Sequence, residues 1–269
     1  MISRLQDKWV LITGASSGFG AEAARAFGAE GARLLLGARR SDRLEQAAEA
    51  ARKAGSPEVH SRFLDVSQTA SVNEFAAWAG KKLAGAPGGP ARLYVLVNNA
   101  GGAQGLDPVS EGKDEDWETM FQSNVLGLLR VTRSVLPLMQ DGPPGASILN
   151  IGSYAARVAY EGGAAYCAAK AGELQISRTL RLELSGTGIR VSSIDPGLAQ
   201  TEFALVRFKG DTARASKLYE GTNPLTAVDI AEIMVWVASR PPHVNIDEML
   251  IKPVDQAAMH KVFRRKVGA

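Results

Sequence analysis

Apolar runs spaced by stretches of helix-forming composition limit the folds open to this chain more than any other feature. The runs are Trp9–Thr13, Arg33–Gly37, Val59–Leu64, Leu93–Val97, Ile148–Ile151, Ile189–Ile194 and Met249–Ile251. Continuous rather than alternating apolar character means burial on both faces, and strands of that kind belong to parallel sheets covered by helices. The intervening segments supply the helices: Ala21–Glu30, Ser41–Ala54, a stretch from near Ser67 to Ala84, Asp114–Gln140 as one long helix or two, Ala164–Ser185 and Ala227–Ser239. The expected fold class is therefore α/β, a doubly wound parallel β-sheet with helices on both faces. No repeat or linker divides the chain, so one domain over 1–269 is expected. It carries a loop at about 198–224, with a short helix around Thr201–Phe208, and a tail at about 255–269. That loop follows the carboxyl end of a strand, where such sheets place substrate loops.

Bulk properties narrow the function classes. A hydrophobic content of 45%, a charged content of 22% and a net charge of +3 describe an ordinary globular protein. The one basic cluster, Lys261 with Arg264, Arg265 and Lys266, reads as a solvated tail rather than a nucleic-acid groove. No apolar stretch approaches the roughly 18 residues that span a membrane, and the chain start lacks a signal-peptide core. A single cysteine, Cys167, excludes an intrachain disulfide framework and suits a reducing compartment. A soluble cytoplasmic protein is expected. His60, His243 and His260 have no metal-ligand spacing, so no metal site is expected.

Chemistry-bearing residues cluster after the strands. Gly14-Ala15-Ser16-Ser17-Gly18-Phe19-Gly20 follows the first strand and opens the first helix. Strand, glycine turn and helix together present backbone N–H groups to a phosphate. Arg39 and Arg40 follow the second strand, and no acid stands before Asp42. An acid there binds a ribose 2′-hydroxyl, whereas arginine accommodates a 2′-phosphate, so the pattern favours NADP(H) over NAD(H). Asp65 and Val66 end the third strand, where the carboxylate either meets an adenine or caps the next helix. Asn98 and Asn99 follow a fully apolar strand; they either hold the central strands together or contact the ribose. Asn124 interrupts a helical pattern, where it is filler, kinks the helix or holds a water.

Ser153 closes the Ile148–Ile151 strand, and Tyr166 and Lys170 share one helix face, one turn apart. A tyrosine ordinarily titrates near pH ~10, so it handles protons at neutral pH only with a cation beside it. Lys170 is placed to be that cation, and Ser153 to donate to a carbonyl oxygen or the derived alkoxide. Arg157 and Arg207 are the candidate partners for a substrate carboxylate, each with surface ion pairing as the alternative.

In this order and spacing, the glycine turn, Asp65, Asn98-Asn99-Ala100-Gly101, Asn124, Ser153, Tyr166-x-x-x-Lys170 and Pro196-Gly197 resemble the short-chain dehydrogenase/reductase family over nearly the whole length. The resemblance implies a Rossmann fold, with Tyr166 as catalytic acid/base, Lys170 supporting it and binding the nicotinamide ribose, and Ser153 orienting the substrate oxygen. Asn124 would hold a relay water. Gly14, Ala15, Ser16, Ser17, Gly18 and Phe19 would cradle the pyrophosphate, Asp65 and Val66 meet the adenine, and Asn99 lie near its ribose. Pro196, Gly197 and Thr201 complete the implied cofactor contacts, and a homodimer or homotetramer is implied. Gly18-Phe19-Gly20, Glu202-Phe203, Val206-Arg207-Phe208-Lys209-Gly210, Asn223-Pro224-Leu225-Thr226 and the Pro242–Ile246 string look like the NADP-dependent 3-hydroxy acid dehydrogenases, including those acting on serine or allo-threonine. Departures at Gly102–Gly105 and Tyr154–Arg157 bear on the substrate. The expected activity is hydride transfer between NADP(H) and a secondary alcohol or its ketone, with a 3-hydroxy acid such as serine, allo-threonine or 3-hydroxyisobutyrate as substrate. The alternatives are a carbonyl reductase for neutral ketones or aldehydes, with Phe203, Leu205 and Val206 lining its pocket, and a non-catalytic NADP(H) sensor.

Overall fold

The computed structural model describes residues 3–266. Its strands are β1 (Trp9–Thr13), β2 (Arg33–Ala38), β3 (Val59–Phe63), β4 (Leu93–Asn98), β5 (Ser147–Ile151), β6 (Arg190–Pro196), β7 (Glu248–Ile251), β8 (Gln256–Ala258) and β9 (Lys261–Val262). The α-helices are α1 (Gly18–Ala29), α2 (Ser41–Ala54), α3 (Thr69–Ala84), α4 (Asp114–Met120), α5 (Gly127–Val135), α6 (Ala164–Glu183), α7 (Phe203–Arg207), α8 (Thr212–Lys217) and α9 (Ala227–Ala238). Strands β1 to β7 form one seven-stranded sheet in the order β3-β2-β1-β4-β5-β6-β7, with parallel pairing throughout. The order reverses between β1 and β4, and the crevice at the carboxyl ends of strands beside such a reversal is where open α/β sheets bind ligands.

The apolar runs go where their composition sends them. Every residue of β1, β4 and β5 is buried. Leu34, Leu35, Leu36, Leu96, Ile148 and Leu149 are fully enclosed between the helix layers. Burying each such side chain stabilises the fold by roughly 1.5–3 kcal/mol, and removing one leaves a cavity in a close-packed layer. Two of the glycines in the first turn are required by geometry. Gly14 takes φ of +67°, and a Cβ on Gly20 would lie 2.4 Å from the Gly14 carbonyl oxygen.

Three expectations gain detail. The Asp114–Gln140 segment takes the two-helix form: α4 runs into a π-helical turn at Phe121–Leu126 before α5 begins, and a 3₁₀ turn at Leu136–Leu138 follows. Asn124 lies inside the π turn, its side-chain Nδ2 donating to the Met120 carbonyl at 2.8 Å. A side chain that takes a carbonyl from the helical ladder favours such a bulge. The loop at 198–224 carries α8 as well as α7; Asp211 caps α8 by accepting from the Arg214 N–H. The basic tail is exposed, as expected, but two of its arginines are also engaged. Arg264 donates to the carbonyls of Leu218 and Glu220, Arg265 pairs with Asp255, and β8 and β9 form a small antiparallel hairpin beneath them. The end of the expected tail, 267–269, lies outside the described residues.

Candidate active site

A cleft of about 1600 Å³ opens at the carboxyl ends of the sheet, running from Arg39 and Arg40 past the glycine turn to Ser153, Tyr166 and Arg207. Of the expected residues, Gly14, Ser16, Ser17, Gly18, Phe19, Asp65, Val66, Asn99, Lys170, Pro196, Gly197 and Thr201 also line it. Ala15 does not. Its side chain is fully buried and its N–H is spent on the Gly37 carbonyl at 3.2 Å, because the turn must bond to β2 to hold its shape.

The turn is held from behind by β4. Thr13 Oγ1 donates to the Val97 carbonyl and accepts from the N–H groups of Asn99 and Ala100, at 3.0–3.3 Å. Asn99 Nδ2 donates to the carbonyls of Thr13 and Gly14. The two asparagines divide the tasks expected of them. Asn98 is buried and donates to Thr132 on α5 and Asn150 on β5, tying the central strands to a helix, while Asn99 faces the cleft. Asp65 resolves into a local turn, its Oδ1 accepting from the N–H and hydroxyl of Ser67; Gln68, not Asp65, is the N-cap of α3.

At the far end of the turn the arginines differ. Arg39 lines the cleft and makes no hydrogen bond among the described residues. Arg40 donates to the hydroxyls of Ser16 and Ser17 and pairs with Glu202 at 3.0 Å. Arg43, one turn along α2, pairs with the same carboxylate. Two neighbouring guanidiniums lower the pKa of Glu202 against the opposing effect of burial. The cleft thus has a glycine-lined groove bounded by cationic groups, a shape and charge suited to a phosphorylated dinucleotide.

Ser153 precedes a 3₁₀ turn at Tyr154–Ala156 and accepts from the Ala155 N–H through Oγ at 3.1 Å. Lys170 Nζ donates to the Ile151 carbonyl at 2.8 Å, which pins α6 to the strand end that carries Ser153. The ammonium lies 6.0 Å from the centre of the Tyr166 ring. Lys170 is buried; its pKa is raised because Glu173 and Tyr166 together outweigh the lowering effect of burial. Asn124 is not in the cleft. Its side chain binds both backbone groups of Gly102, holding the loop after β4 over α6.

The two candidate anion partners separate. Arg157 does not line the cleft: Nε donates to Asp195 at 3.0 Å, and Nη2 bridges to Glu248. Asp195 is fully buried on β6 and pushes the chain close enough that Gly152 has no room for a Cβ. Arg157 is therefore committed to a buried carboxylate, which corrects its assignment to the substrate. Arg207, the last residue of α7, is buried and faces the cleft. Its guanidinium lies 5.0 Å from the Tyr166 ring centre and 5.2 Å from that of Phe203. Nη2 donates to the Tyr160 hydroxyl, whose pKa burial raises, and Nε has no partner among the described residues.

Sequence reasoning missed Arg43, Tyr160 and Glu173. Arg43 announces itself only as the residue one turn after Arg39 and Arg40. Glu173 lies three residues past Lys170, a spacing that puts both on one helix face. Tyr160 lies in an irregular stretch with no sequence signal.

The family model for short chain dehydrogenases matches residues 8–210. A sulfoacetaldehyde reductase of Chromohalobacter salexigens is 44% identical over 248 residues, 92% of this chain and 94% of that protein. An NADP-dependent 3-hydroxy acid dehydrogenase of Salmonella typhi is 43% identical over 249 residues, 92% of this chain and 96% of its own. The closed form of a serine dehydrogenase complexed with NADP+ superposes with a TM-score of 0.83 at 39% identity, covering 96% of this chain and 100% of that one. With the cleft, the parallel sheet and the family model in agreement, the chain belongs to the short-chain dehydrogenase/reductase family and is an oxidoreductase.

Proposed function

We propose that the enzyme interconverts a small anionic 3-hydroxy compound and its carbonyl form with NADP(H), and that Arg207 holds the anion. The observation that carries this reading is a largely buried guanidinium that lines the cleft beside the Tyr166 ring. A guanidinium in a poorly solvated site pairs favourably with a ligand anion through charge-assisted hydrogen bonds. In a 3-hydroxy acid such as serine, allo-threonine or 3-hydroxyisobutyrate, the carboxylate sits on the carbon next to the carbinol carbon. A sulfonate-bearing aldehyde has its anion in the same relation to the reacting carbon. The names borne by the relatives therefore describe one recognition problem.

NADP(H), when bound, supplies or accepts the hydride. Arg39, with Arg40, would read the 2′-phosphate; the groove of Gly14, Ser16, Ser17 and Gly18 leaves backbone free for the pyrophosphate. Tyr166 exchanges the hydroxyl proton at the carbinol oxygen, and Ser153 Oγ donates to that oxygen as it gains charge. Lys170, fixed by the Ile151 carbonyl, holds a positive charge beside the tyrosine. Asn124 acts at one remove, fixing the Gly102 loop against α6.

The test follows NADP+ reduction with serine, 3-hydroxyisobutyrate and the hydroxysulfonate, and NADPH oxidation with neutral aldehydes and ketones of the same size. Arg207→Met is expected to raise KM for the anionic substrates at least tenfold and leave neutral ones within a factor of two. Equal turnover of neutral ketones by the wild type would move the enzyme to the carbonyl reductases and leave Arg207 without a substrate role.

A further inference from the structure

The ammonium of Lys170 has three N–H groups to place. One goes to the Ile151 carbonyl at 2.8 Å and another to a Glu173 carboxylate oxygen at 2.7 Å. The third is left for the cleft that Lys170 lines. Glu173 does not line that cleft. It sits one turn further along α6, 2% exposed, and borders a separate internal cavity of about 10 Å³ behind the site. A space of that size holds about one water. Thr13, Asn98 and Asn124 border the same cavity. Asn98 carries a buried Oδ1 without a partner among the described residues, an acceptor that a water or a protonated carboxyl can satisfy.

Resting on the assignment of Tyr166 and Lys170 above, we propose that Glu173 is a positioning residue for this active site. It anchors the Lys170 ammonium from behind, and its own protonation sets the net charge of the pair that faces Tyr166. With the carboxylate ionised the pair is neutral; with one proton added from solvent the pair carries a full positive charge. No electron moves in this step. Burial pushes the Glu173 carboxyl up to about 7 against the attraction of Lys170. The charged and titratable groups around the pair are Lys170 and Tyr166 on the same helix and Asp195 on β6, itself paired with Arg157. From β1, β4 and the π turn come the uncharged Thr13, Asn98 and Asn124.

Glu173 lies seven helical positions after Tyr166, about 10 Å along the axis. At that range, one charge shifts a proton equilibrium by roughly one pH unit at the effective dielectric of protein sites. Alcohol oxidation needs the tyrosine deprotonated. Glu173→Gln, which removes the negative charge, is therefore expected to move the acidic limb of kcat/KM for oxidation about one pH unit lower. Glu173→Asp keeps the charge but withdraws the anchor, so it is expected to lower kcat at least fivefold with the limb moved by less than half a unit. A second readout needs no cofactor: in protein labelled with ¹³C at the glutamate carboxyl, one signal absent from Glu173→Gln should titrate near neutral pH.

An unmoved acidic limb in a folded Glu173→Gln variant, or a Glu173 carboxyl ionised throughout pH 5–9, overturns the proposal. Tyr166→Phe run in parallel separates the two assignments. Inactive Tyr166→Phe with an unmoved Glu173→Gln profile sinks Glu173 alone. Active Tyr166→Phe sinks the tyrosine assignment, and the carboxyl titration still decides Glu173.

Discussion

Replacing Arg157 with methionine removes the guanidinium from a cluster built around one buried carboxylate. Asp195 is 0% exposed and Arg157 only 25% exposed by side chain. The arginine supplies Asp195 with hydrogen bonds from both Nε and Nη2, and only the Ser193 hydroxyl, at 2.6 Å, would remain. Breaking a buried pair by deleting one partner costs about 3–5 kcal/mol, because the surviving charge stays in a poorly solvated site. The partial exposure of Arg157 lets water reach the vacated space and places the loss near the lower end, about 3 kcal/mol. In a chain of this size each kcal/mol lowers Tm by roughly 2 °C, so a drop of about 6 °C is expected. Thermal unfolding of the cofactor-free protein measures it. Asp195→Asn added to Arg157→Met should recover part of the loss, since the amide does not need a counter-charge. Substrate KM should stay within a factor of two. An Arg157→Met protein with unchanged Tm and a tenfold higher KM would refute the structural reading and return Arg157 to the substrate.

Two further outcomes follow from the charges at the two ends of the sheet. Arg39→Ala combined with Arg40→Ala should weaken NADP+ binding at least tenfold, measured by titration of the protein fluorescence, with NAD+ binding almost unchanged, since each charge-assisted hydrogen bond is worth about 1.5–3 kcal/mol. Glu248 is held down to about 2 by the hydrogen bond from Arg178, with Arg157 adding to it. Its folded-state pKa lies below the ordinary value of 4.5, so its stabilisation is complete above pH 4.5 and is lost as pH falls toward 2. Glu248→Gln should flatten the acid limb of a pH-denaturation curve in that window; an unchanged limb would deny the pairing any role in acid stability.

Most of the sheet was legible because its signal is local. A run such as Leu93–Val97 carries its burial in its own composition, and the structure extends the strand by one residue, to Asn98. The glycine turn was legible for the same reason, though its helix starts at Gly18 rather than Ala21. What could not be read depends on residues far apart in the chain. Arg157 and Arg207 look alike in sequence, and only the arrival of Asp195 from β6 beside one and of the Tyr166 ring beside the other separates them. The interruption at Asn124 was visible, but the π turn needs Gly127 to meet Val66, where an added Cβ would lie 2.8 Å from a methyl group. The exposure of the tail was legible, but not that Arg264 bonds the carbonyls of Leu218 and Glu220, more than forty residues earlier.

The short helix α7 joins the two cationic ends of the cleft. Its N-cap residue, Glu202, bonds Arg40 and Arg43 at the end assigned to the 2′-phosphate, and its last residue, Arg207, stands over Tyr166. Ala204 between them is 1% exposed, and the Arg207 carbonyl accepts from the Gly105 N–H at 2.9 Å, so the helix is fixed to the loop after β4. Lys209 then pairs with Asp116 on α4 and fastens the far side. The residue that pairs with Arg40 and the residue that stands over Tyr166 are thus carried by one short element. This gives the loop a physical reason to carry an acid at one end of α7 and a buried base at the other.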